Sequence, residues 1–504
     1  MHTLVVGAGS AGAVIATRLS ESPAHRVTLV EAGPDYTSVA EMPADLRDGR
    51  KNSMRAHDWG YRFRAVPKSD VWAFPRGRVV GGSSAVNTCI ALRGHPYDFD
   101  EWASRGLSEW SFERCLPAFK RLERDLDFDD EWHGQGGPLP VRRHPTSELG
   151  TWQAEFVEAA KRVGYPETVD HNNPELPCGV GPHAMNKIGG ERISVARAYL
   201  SAEVRRRPNL RIVADTHACR LDLEAGRFRA LEARAFGRDV RIEADRVVLS
   251  LGAIGTPGLL LRSGVGPAAE LRRLGIERVV DSPTVGARLL DHPGVAILFT
   301  PRKDIANPEQ PVIQVMARYS SRGGAHPFDI QLQPGSWLPL FGLQLPVVAL
   351  MANIGKPKAA GTLRFQSADP FDKPLIDASF LRDPTDRAMA LEAMERLWEI
   401  ARQPNMKRLA LPLYPDRSTL DRPARIDAFL DRVTGSGYHP SGTVPMTADG
   451  LAAGAVDGRG HLLGTEGVFV ADASIMPTIP SANTNLSTIM IGERIAEFLE
   501  GRSG

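Results

Sequence analysis

Small polar residues cluster just before the last apolar run of the chain, in DASIMPTIPSANTN over residues 472–485. Ser, Thr and Asn side chains can cap a helix start by accepting hydrogen bonds from its free N–H groups. The same N–H groups, with the positive end of the helix dipole, can instead bind an electron-rich ligand. The stretch therefore predicts a helix start before LSTIMIGERIAEFL, and it leaves capping and ligand binding as alternative reasons for its composition.

A glycine pattern near the N-terminal end has the chemistry of a phosphate cradle. TLVVGAGSAGAVIATRLSE reads as a buried strand, a turn and a helix, with Gly7, Gly9 and Gly12 in G-x-G-x-x-G spacing. Such glycines allow a tight turn, close approach of the backbone to a pyrophosphate and close packing of helix on strand. A second strand, RVTLVEAG, carries Glu31, where a carboxylate can bind adenosine ribose hydroxyls. The unit predicts an adenine dinucleotide site, for FAD or NAD.

Three later stretches also combine glycine with polar or catalytic residue types. FPRGRVVGGSSAVNTCIALRG places Gly81 and Gly82 between apolar runs, which predicts a loop or a second anion-binding turn. VVLSLGAIGTPGLLLRSGVGP predicts a strand, a break over 252–257 and a short helix ending at Gly264. In GSGYHPSGTVPM, His439 is flanked by small residues and precedes a proline.

Length and charge limit the classes of protein that this chain can belong to. A chain of 504 residues predicts two or three domains, or one large domain with insertions. With 61 basic and 60 acidic side chains, and no basic stripe interleaved with aromatic residues, nucleic acid is not an expected partner. The 4 cysteines show neither CxxC nor Cys/His spacing, so no metal site or disulfide is predicted, and a reducing cytoplasm is expected.

Two stretches bear on targeting and membranes. The chain enters an apolar strand pattern directly after Met1, so no signal peptide is predicted. The apolar stretch 336–354 is interrupted by Pro339, Gly342 and Pro346, which argues against a transmembrane helix. We expect a buried strand preceded by a loop there; the alternative is a pocket lid or a loop that touches a membrane.

Taken in order, these stretches resemble the glucose-methanol-choline (GMC) family of FAD-dependent oxidoreductases. The resemblance covers nearly the whole chain: GAGSAG with Glu31, the glycine-rich signatures at 77–94 and 252–266, the LDHP residues of an LxDHP segment at 290–293, and the C-terminal DASIMP and NTN block. Within the family, ERDLDFDDEWHGQGGPLPV and DASIMPTIPSANTNLSTIM are most similar to the bacterial hydroxymethylfurfural oxidase and choline dehydrogenase branch.

The resemblance implies an α/β fold with two domains. One is a discontinuous Rossmann-like FAD-binding domain, which would take residues 1–155, 190–288 and 440–504 of this chain. The other is a substrate-binding domain built on an antiparallel β-sheet with helices, over residues 156–189 and 289–439.

The family's catalytic base matches His439, and its partner position matches Asn483. Hydride leaves an alcohol carbon for the flavin N5 atom when the hydroxyl proton is removed, which a histidine can do near neutral pH. An asparagine can orient the same oxygen by a hydrogen bond. The resemblance places the following residues at the FAD: Gly7, Gly9, Ser10, Ala11, Gly12, Glu31, Ala32, Trp59, Arg78, Gly81, Gly82, Ser83, Val86, Asn87, Thr88, Cys219, Gly252, Tyr438, Asp472, Ala473, Asn483, Thr484 and Asn485. The small polar residues would then cap the last helix and also present its N-terminus to the flavin.

Two departures from the family pattern refine this reading. Val86 stands where some members carry the histidine that links covalently to FAD, so a non-covalent cofactor is expected. Gly294 follows DHP where choline-recognising members carry a glutamate, so a quaternary ammonium substrate has no evident counter-charge. Histidines outside these motifs, such as His95, His133 and His183, are expected at the surface or at helix caps.

The resemblance implies oxidation of a neutral primary alcohol, aromatic or furanic, to an aldehyde, with electrons passed to oxygen or another acceptor. The fold leaves other activities open, because the family also contains an acceptor-linked dehydrogenase of the mycofactocin-associated type, a hydroxynitrile lyase and a fatty-acid photodecarboxylase. The expected partner is a small-molecule alcohol, and the sequence predicts no oligomeric state.

Overall fold

The computed structural model describes residues 1–302, 305–338 and 346–501. The helices, in chain order, are α1 Gly12–Leu19, α2 Ala44–Arg47, α3 Pro96–Ser104, α4 Phe112–Leu122, α5 Thr151–Arg162, α6 Val195–Ala198, α7 Ala202–Arg205, α8 Gly252–Arg262, α9 Ala268–Leu274, α10 Pro384–Ala401, α11 Pro404–Leu409, α12 Arg417–Leu420, α13 Pro423–Val433 and α14 Thr484–Leu499. The first strands are β1 His2–Val6, β2 Arg26–Val30, β3 Tyr61–Arg64, β4 Val71–Phe74, β5 Glu123–Asp125, β6 Leu139–Val141, β7 Val180–Pro182, β8 Lys187–Ile188, β9 Glu191–Arg192, β10 Leu210–Val213, β11 Thr216–Glu224, β12 Arg227–Ala235 and β13 Arg238–Glu243. The later strands are β14 Arg246–Leu249, β15 Val265–Gly266, β16 Val280–Asp281, β17 Pro293–Pro301, β18 Val315–Tyr319, β19 Ile330–Gly335, β20 Val348–Ile354, β21 Thr362–Arg364, β22 Leu375–Asp377, β23 Ala410–Tyr414, β24 Gly435–Ser436 and β25 Val468–Val470.

A parallel sheet holds the predicted dinucleotide motif. Its order is β10-β2-β1-β14-β25, and every neighbouring pair is parallel. β1 and β14 are buried almost throughout, as expected for strands covered by helices on both faces. In such sheets ligands bind beyond the carboxyl ends of the strands, which here is where the glycine turn after β1 lies.

An antiparallel sheet faces the parallel one across a cavity that is described below. Its order is β23-β17-β20-β19-β18-β7, and β24 also pairs with β17. Along β17 the side chains alternate: Val295, Ile297 and Phe299 are buried, whereas Gly294 and Ala296 are only half-buried. The buried set packs toward α5 and α10, as the ring contact of Phe299 with Trp152 at 5.6 Å shows. The half-buried set therefore faces the other way, toward a cavity.

These two sheets confirm the predicted fold class, which joined an α/β cofactor-binding part to an antiparallel sheet with helices. The strands of the parallel sheet come from three separated stretches of chain, 2–30, 210–249 and 468–470. The boundaries assigned to the two domains stay a prediction, and α5 crosses the one placed at residue 155.

The apolar stretch 336–354 is described in part. Its C-terminal portion forms β20, in agreement with the expected buried strand. Residues 339–345 lie outside the described residues, and so does the predicted lid or membrane-touching loop. Among the helices of the described residues, none has the length and apolarity needed to cross a membrane.

The break expected over 252–257 is wrong, because α8 already begins at Gly252 and contains Pro257. A proline inside a helix leaves the carbonyl four residues earlier without its N–H partner. Here that carbonyl belongs to Ala253, and it accepts a hydrogen bond from the Thr443 hydroxyl at 2.8 Å. A residue 190 positions away therefore supplies the missing donor and lets the helix continue through the proline.

Of the three histidines expected at the surface or at caps, only His95 follows the prediction. Its ring accepts a hydrogen bond from the Tyr97 N–H at the start of α3. His133 is buried instead, and its two ring nitrogens have partners there, Asp130 at 2.6 Å and Asp170 at 3.1 Å. His183 is fully buried.

Helix α14 is fixed against the dinucleotide motif by a buried carboxylate. Glu493, whose side chain is fully buried, accepts hydrogen bonds from Arg18 of α1, Arg121 of α4 and the Tyr199 hydroxyl, at 2.8 to 2.9 Å for the shortest bond from each. Helix α14 packs so closely against the glycine turn that a Cβ atom on Gly492 would lie 2.9 Å from the Ala11 carbonyl oxygen. The start of α14 is thereby held beside the glycine turn.

Replacing Glu493 tests this anchor. Glu493→Ala leaves two arginines and a tyrosine without their shared acceptor, and breaking a buried ion pair costs about 3–5 kcal/mol. We expect a loss of that size in the free energy of unfolding measured by denaturant titration. The matched control is Glu224→Ala, because Glu224 pairs with Arg229 while 69% of its side chain is exposed; it should cost less than about 1 kcal/mol. Equal losses in the two variants would contradict the anchoring role.

Candidate active site

A cavity of 1390 Å³ lies where the carboxyl ends of β1 and β14 meet the antiparallel sheet. One end is lined by the glycine turn after β1 and by Glu31. The opposite end is lined by His439, Asn483 and the half-buried face of β17 and β20. The cavity is long enough to join a nucleotide-binding end to a reactive end.

Two glycine turns meet with their backbones in contact at the first end. A Cβ atom on Gly82 would lie 2.7 Å from the Cα atom of Gly9, and Gly82 has a φ of +53°. The Gly81 N–H donates to the Ala8 carbonyl at 2.8 Å, which fixes the second turn against the first. No side chain can fill this contact, so a ligand can approach the backbone itself.

Glu31 is placed as its spacing predicted. Its carboxylate accepts hydrogen bonds from the Ala8 and Gly33 N–H groups, both at 3.0 Å, and it borders the cavity. Burial raises the pKa of Glu31 to about 7, while the hydrogen bonds from Ala8 and Gly33 act in the opposite direction. A carboxyl group held in this way can accept hydrogen bonds from the hydroxyl groups of a bound sugar.

Most of the predicted site residues line this cavity, and four do not. Gly12 packs behind the turn, because a Cβ on it would lie 1.9 Å from the Gly7 carbonyl oxygen. Gly81 shapes the second turn, and Arg78 lies over the Trp59 ring at 5.4 Å. Cys219 sits at an irregular point of β11, where the pairing register shifts, and Ala218 lines the cavity in its place.

The N-terminus of α14 opens into the cavity without the side-chain cap that its composition predicted. Asn483 is the residue before the helix, but its side chain makes no capping hydrogen bond. Its Nδ2 atom lies 3.0 Å from Nε2 of His439, and its Oδ1 atom, which would be the capping acceptor, has no hydrogen-bond partner among the described residues. The prediction of capping is therefore wrong for Asn483, and Asp472 instead caps the short helix Ala473–Ile475 by accepting from the Ser474 N–H.

The reactive end is built on a continuous hydrogen-bond chain. From the cavity inward, Asn483 Nδ2 contacts His439 Nε2 at 3.0 Å, and His439 Nδ1 contacts His292 Nδ1 at 2.9 Å. His292 Nε2 then contacts the Pro480 carbonyl oxygen at 2.9 Å. The two rings cross at 71°, edge to face. The chain links three stretches of sequence at residues 292, 439 and 480–483.

The partners of this chain determine the tautomer of each histidine. A carbonyl oxygen only accepts, so His292 must carry its proton on Nε2, which leaves Nδ1 as an acceptor. His439 Nδ1 must then donate to it, which leaves His439 Nε2 unprotonated. The Asn483 amide donates to that nitrogen. The site therefore presents a basic nitrogen and an amide N–H side by side in the cavity.

Electrostatics keeps both histidines neutral. Burial is the main cause that lowers the pKa of His292, to about 4. Burial, followed by the neighbouring His292 and by Arg76, lowers the pKa of His439 well below its ordinary value. At neutral pH both rings are thus uncharged, as the tautomer assignment requires.

Two residues that the sequence reading did not assign hold His439 in place. Asp291 accepts the backbone N–H of His439 at 2.7 Å, and burial raises its pKa to about 6. Arg76 donates to the carbonyl of Tyr438, the residue before His439, at 2.8 Å, and Tyr438 has a left-handed φ of +64°. The LxDHP and PRGR motifs contain Asp291, His292 and Arg76, but their contacts with His439 join distant parts of the chain.

Comparisons with known proteins agree with this geometry. The N-terminal domain of the GMC oxidoreductase family matches residues 1–294, and its C-terminal domain matches residues 357–492. 5-(Hydroxymethyl)furfural oxidase of Methylovorus sp. (strain MP688) is 32% identical, over 98% of each chain. Oxygen-dependent choline dehydrogenase of Vibrio vulnificus (strain YJ016) is 32% identical, over 98% of this chain and 93% of the relative. The crystal structure of pyridoxine 4-oxidase from Mesorbium loti superposes with a TM-score of 0.91 at 30% identity, over 100% of both chains.

The chain belongs to the GMC oxidoreductase family, as the five sequence motifs predicted. It is thus an enzyme of a family of FAD-dependent oxidoreductases that act on alcohol groups. The expected branch is confirmed as well, because the hydroxymethylfurfural oxidase and the choline dehydrogenases match over nearly the entire chain.

Proposed function

We propose that this enzyme oxidises a neutral primary alcohol to an aldehyde, with non-covalent FAD, His439 as the base and Asn483 as the orienting group. The observation that carries the proposal is the hydrogen-bond chain from Pro480 to Asn483, which leaves His439 Nε2 unprotonated in the cavity. Electrons would pass to oxygen or to another acceptor.

The residues of the cavity suit an FAD molecule. Because Gly9 and Gly82 carry no side chains, a pyrophosphate can approach their backbone closely. Glu31 can bind ribose hydroxyls. The uncapped start of α14, at Thr484 and Asn485, offers backbone N–H groups and a positive dipole end to an electron-rich ring. Bound FAD supplies an acceptor for the hydride that leaves the alcohol carbon.

His439 and Asn483 have different tasks in activating the alcohol. An alcohol hydroxyl that displaces the direct hydrogen bond between Asn483 and His439 can donate its proton to His439 Nε2 and accept a hydrogen bond from Asn483 Nδ2. Asn483 Oδ1 is buried and has no hydrogen-bond partner among the described residues, so the amide has no competing contact on that atom. As His439 takes the proton, its Nδ1–H remains bonded to His292, which fixes the ring in the orientation that faces the cavity.

The wall beside the base favours an uncharged substrate. Gly294 borders the cavity without a side chain, and the Asn353 Oδ1 atom lies 3.2 Å from where its Cβ would stand. A quaternary ammonium group placed there would meet an amide where choline-recognising relatives offer a carboxylate. We therefore propose neutral alcohols as the substrate class.

The proposal includes a cytoplasmic location. It rests on the scattered spacing of the cysteines, of which Cys89 and Cys115 are buried free thiols.

Substitutions at the two reactive residues should separate their tasks. His439→Ala removes the base, and a positioned general base contributes roughly 100- to 10,000-fold, so flavin bleaching by alcohol should slow by that factor. Asn483→Ala removes an orienting hydrogen bond and should cost less, about 1 to 3 kcal/mol of barrier. Anaerobic stopped-flow absorbance measures both rates.

The flavin spectrum of each variant is the control, because the two glycine turns and Glu31, which would hold the dinucleotide, lie at the opposite end of the cavity. A His439→Ala enzyme that bleaches at the parent rate would refute the assignment. Loss of FAD from that variant would assign the histidine a structural role.

Acid precipitation tests the bond between protein and cofactor. Val86 borders the cavity and offers no nucleophile at the position where some relatives carry the linking histidine. The yellow holoenzyme should therefore release its FAD into the supernatant and leave a colourless pellet. A pellet that stays yellow after washing would show that another residue forms a covalent bond.

A further inference from the structure

The cavity-facing side of the antiparallel sheet forms a substrate wall, which we define as Gly294, Ala296, Leu298, Gln333, Met351 and Asn353. The pairing register places all six on one side: Gly294 opposes Asn353, Ala296 opposes Met351, and Gln333 opposes Met351 from the other neighbouring strand. Opposed residues of antiparallel strands point to the same face. All six line the cavity.

Asn353 brings an amide to the reactive end of this wall. A methyl group built on Gly437 would meet His439 Nδ1 at 2.9 Å and Asn353 Oδ1 at 3.3 Å, so Asn353 lies at the same end of the cavity as the base. Its side chain is 7% exposed and makes no hydrogen bond to another side chain or backbone group within the described ranges 1–302, 305–338 and 346–501. An amide buried in this way requires a partner from a ligand or from water.

Gln333 brings a second amide farther along the wall. It is diagonal to Asn353 across the β19–β20 pair, and such diagonal neighbours are about 7 Å apart. Behind it lies His183, whose pKa is lowered to about 3 mainly by burial, while contact with the Gln333 amide acts weakly in the opposite direction. His183 is thus neutral and adds no charge behind the wall, and neither of its ring nitrogens has a hydrogen-bond partner among the described residues.

The six wall residues are small, apolar or amide, and none can ionise. Ile90, Val312 and Trp337 border the same end of the cavity with apolar side chains. This combination suits an apolar body with polar groups at its ends. Burying an unpaired amide is costly, so an apolar ligand end placed against Gln333 should bind less well than a hydrogen-bonding one.

We infer that the substrate wall selects neutral primary alcohols that carry a second uncharged hydrogen-bonding group, such as a hydroxyl, a carbonyl or a ring nitrogen, on the far side of a ring-sized apolar body. Gln333 binds that second group while His439 and Asn483 hold the reacting hydroxyl, with Asn353 at the reactive end. The inference rests on the proposed function and specifies its substrate class.

A pair of near-isosteric substrates tests the inference. 1,4-Benzenedimethanol carries the second hydroxyl, and 4-ethylbenzyl alcohol carries a methyl group in its place. For the parent holoenzyme we expect kcat/KM to favour the diol by at least about tenfold, after division by two for its two equivalent ends. Gln333→Met should reduce this ratio to between one and about threefold. Gln366→Met, at an exposed amide that donates to the Lys373 carbonyl, should leave the ratio unchanged.

A binding measurement makes the result independent of turnover. Terephthalaldehyde and 4-ethylbenzaldehyde are titrated into each holoenzyme, and the change in flavin absorbance gives the ratio of the two dissociation constants, which should follow the same pattern. A parent ratio near one, or a Gln333→Met ratio equal to the parent ratio, overturns the inference and leaves the proposed function intact. If no alcohol bleaches the flavin but the dialdehyde preference is present and is lost in Gln333→Met, the proposed function fails and the recognition of the second group stands.

Discussion

The hydrogen bond between the two histidine Nδ1 atoms is the constraint on which the reactive site depends. Two such atoms can meet at 2.9 Å only if one ring donates and the other accepts. The Pro480 carbonyl decides which, because it requires the proton on His292 Nε2. The basic nitrogen of His439 is thereby directed to the cavity, and no carboxylate among the described residues makes a hydrogen bond to either ring. The backbone carbonyl of Pro480, shortly before the last helix, thus sets the protonation of the site.

Much of the surrounding structure serves to hold this chain. His292 directly precedes β17, so the antiparallel sheet fixes one ring. His439 is held through its backbone by Asp291 and follows a left-handed residue whose carbonyl is bound by Arg76. Pro480 precedes α14, which Glu493 anchors to the dinucleotide motif. Helix α14 therefore connects the two ends of the cavity, because it begins beside His439 and packs against the dinucleotide motif.

What could be predicted from the sequence was local. The strand, glycine turn and helix around Gly7 were recognised because their geometry depends on residues a few positions apart, and Glu31 was found at its expected distance along the chain. Errors arose where a distant residue supplied a partner. Thr443 allows α8 to run through Pro257, and Asn483 lies before α14 with its Nδ2 atom against His439 and without capping the helix. The wall with Gln333 and Asn353 was missed because strand register, which no short motif encodes, brings these amides together.

The tautomer of His439 is the most direct test of the proposed hydrogen-bond chain from Pro480 to Asn483. In the holoenzyme labelled with 15N-histidine, long-range proton–nitrogen correlation spectra, assigned by difference from His439→Asn, report which ring nitrogen carries the proton. The hydrogen-bond chain predicts a neutral ring at pH 7, with Nδ1 protonated and Nε2 unprotonated. Because burial lowers the His439 pKa well below its ordinary value, we expect Nε2 to stay unprotonated on acidification to pH 6. A proton on Nε2 at pH 7, in either a neutral or a charged ring, would contradict it.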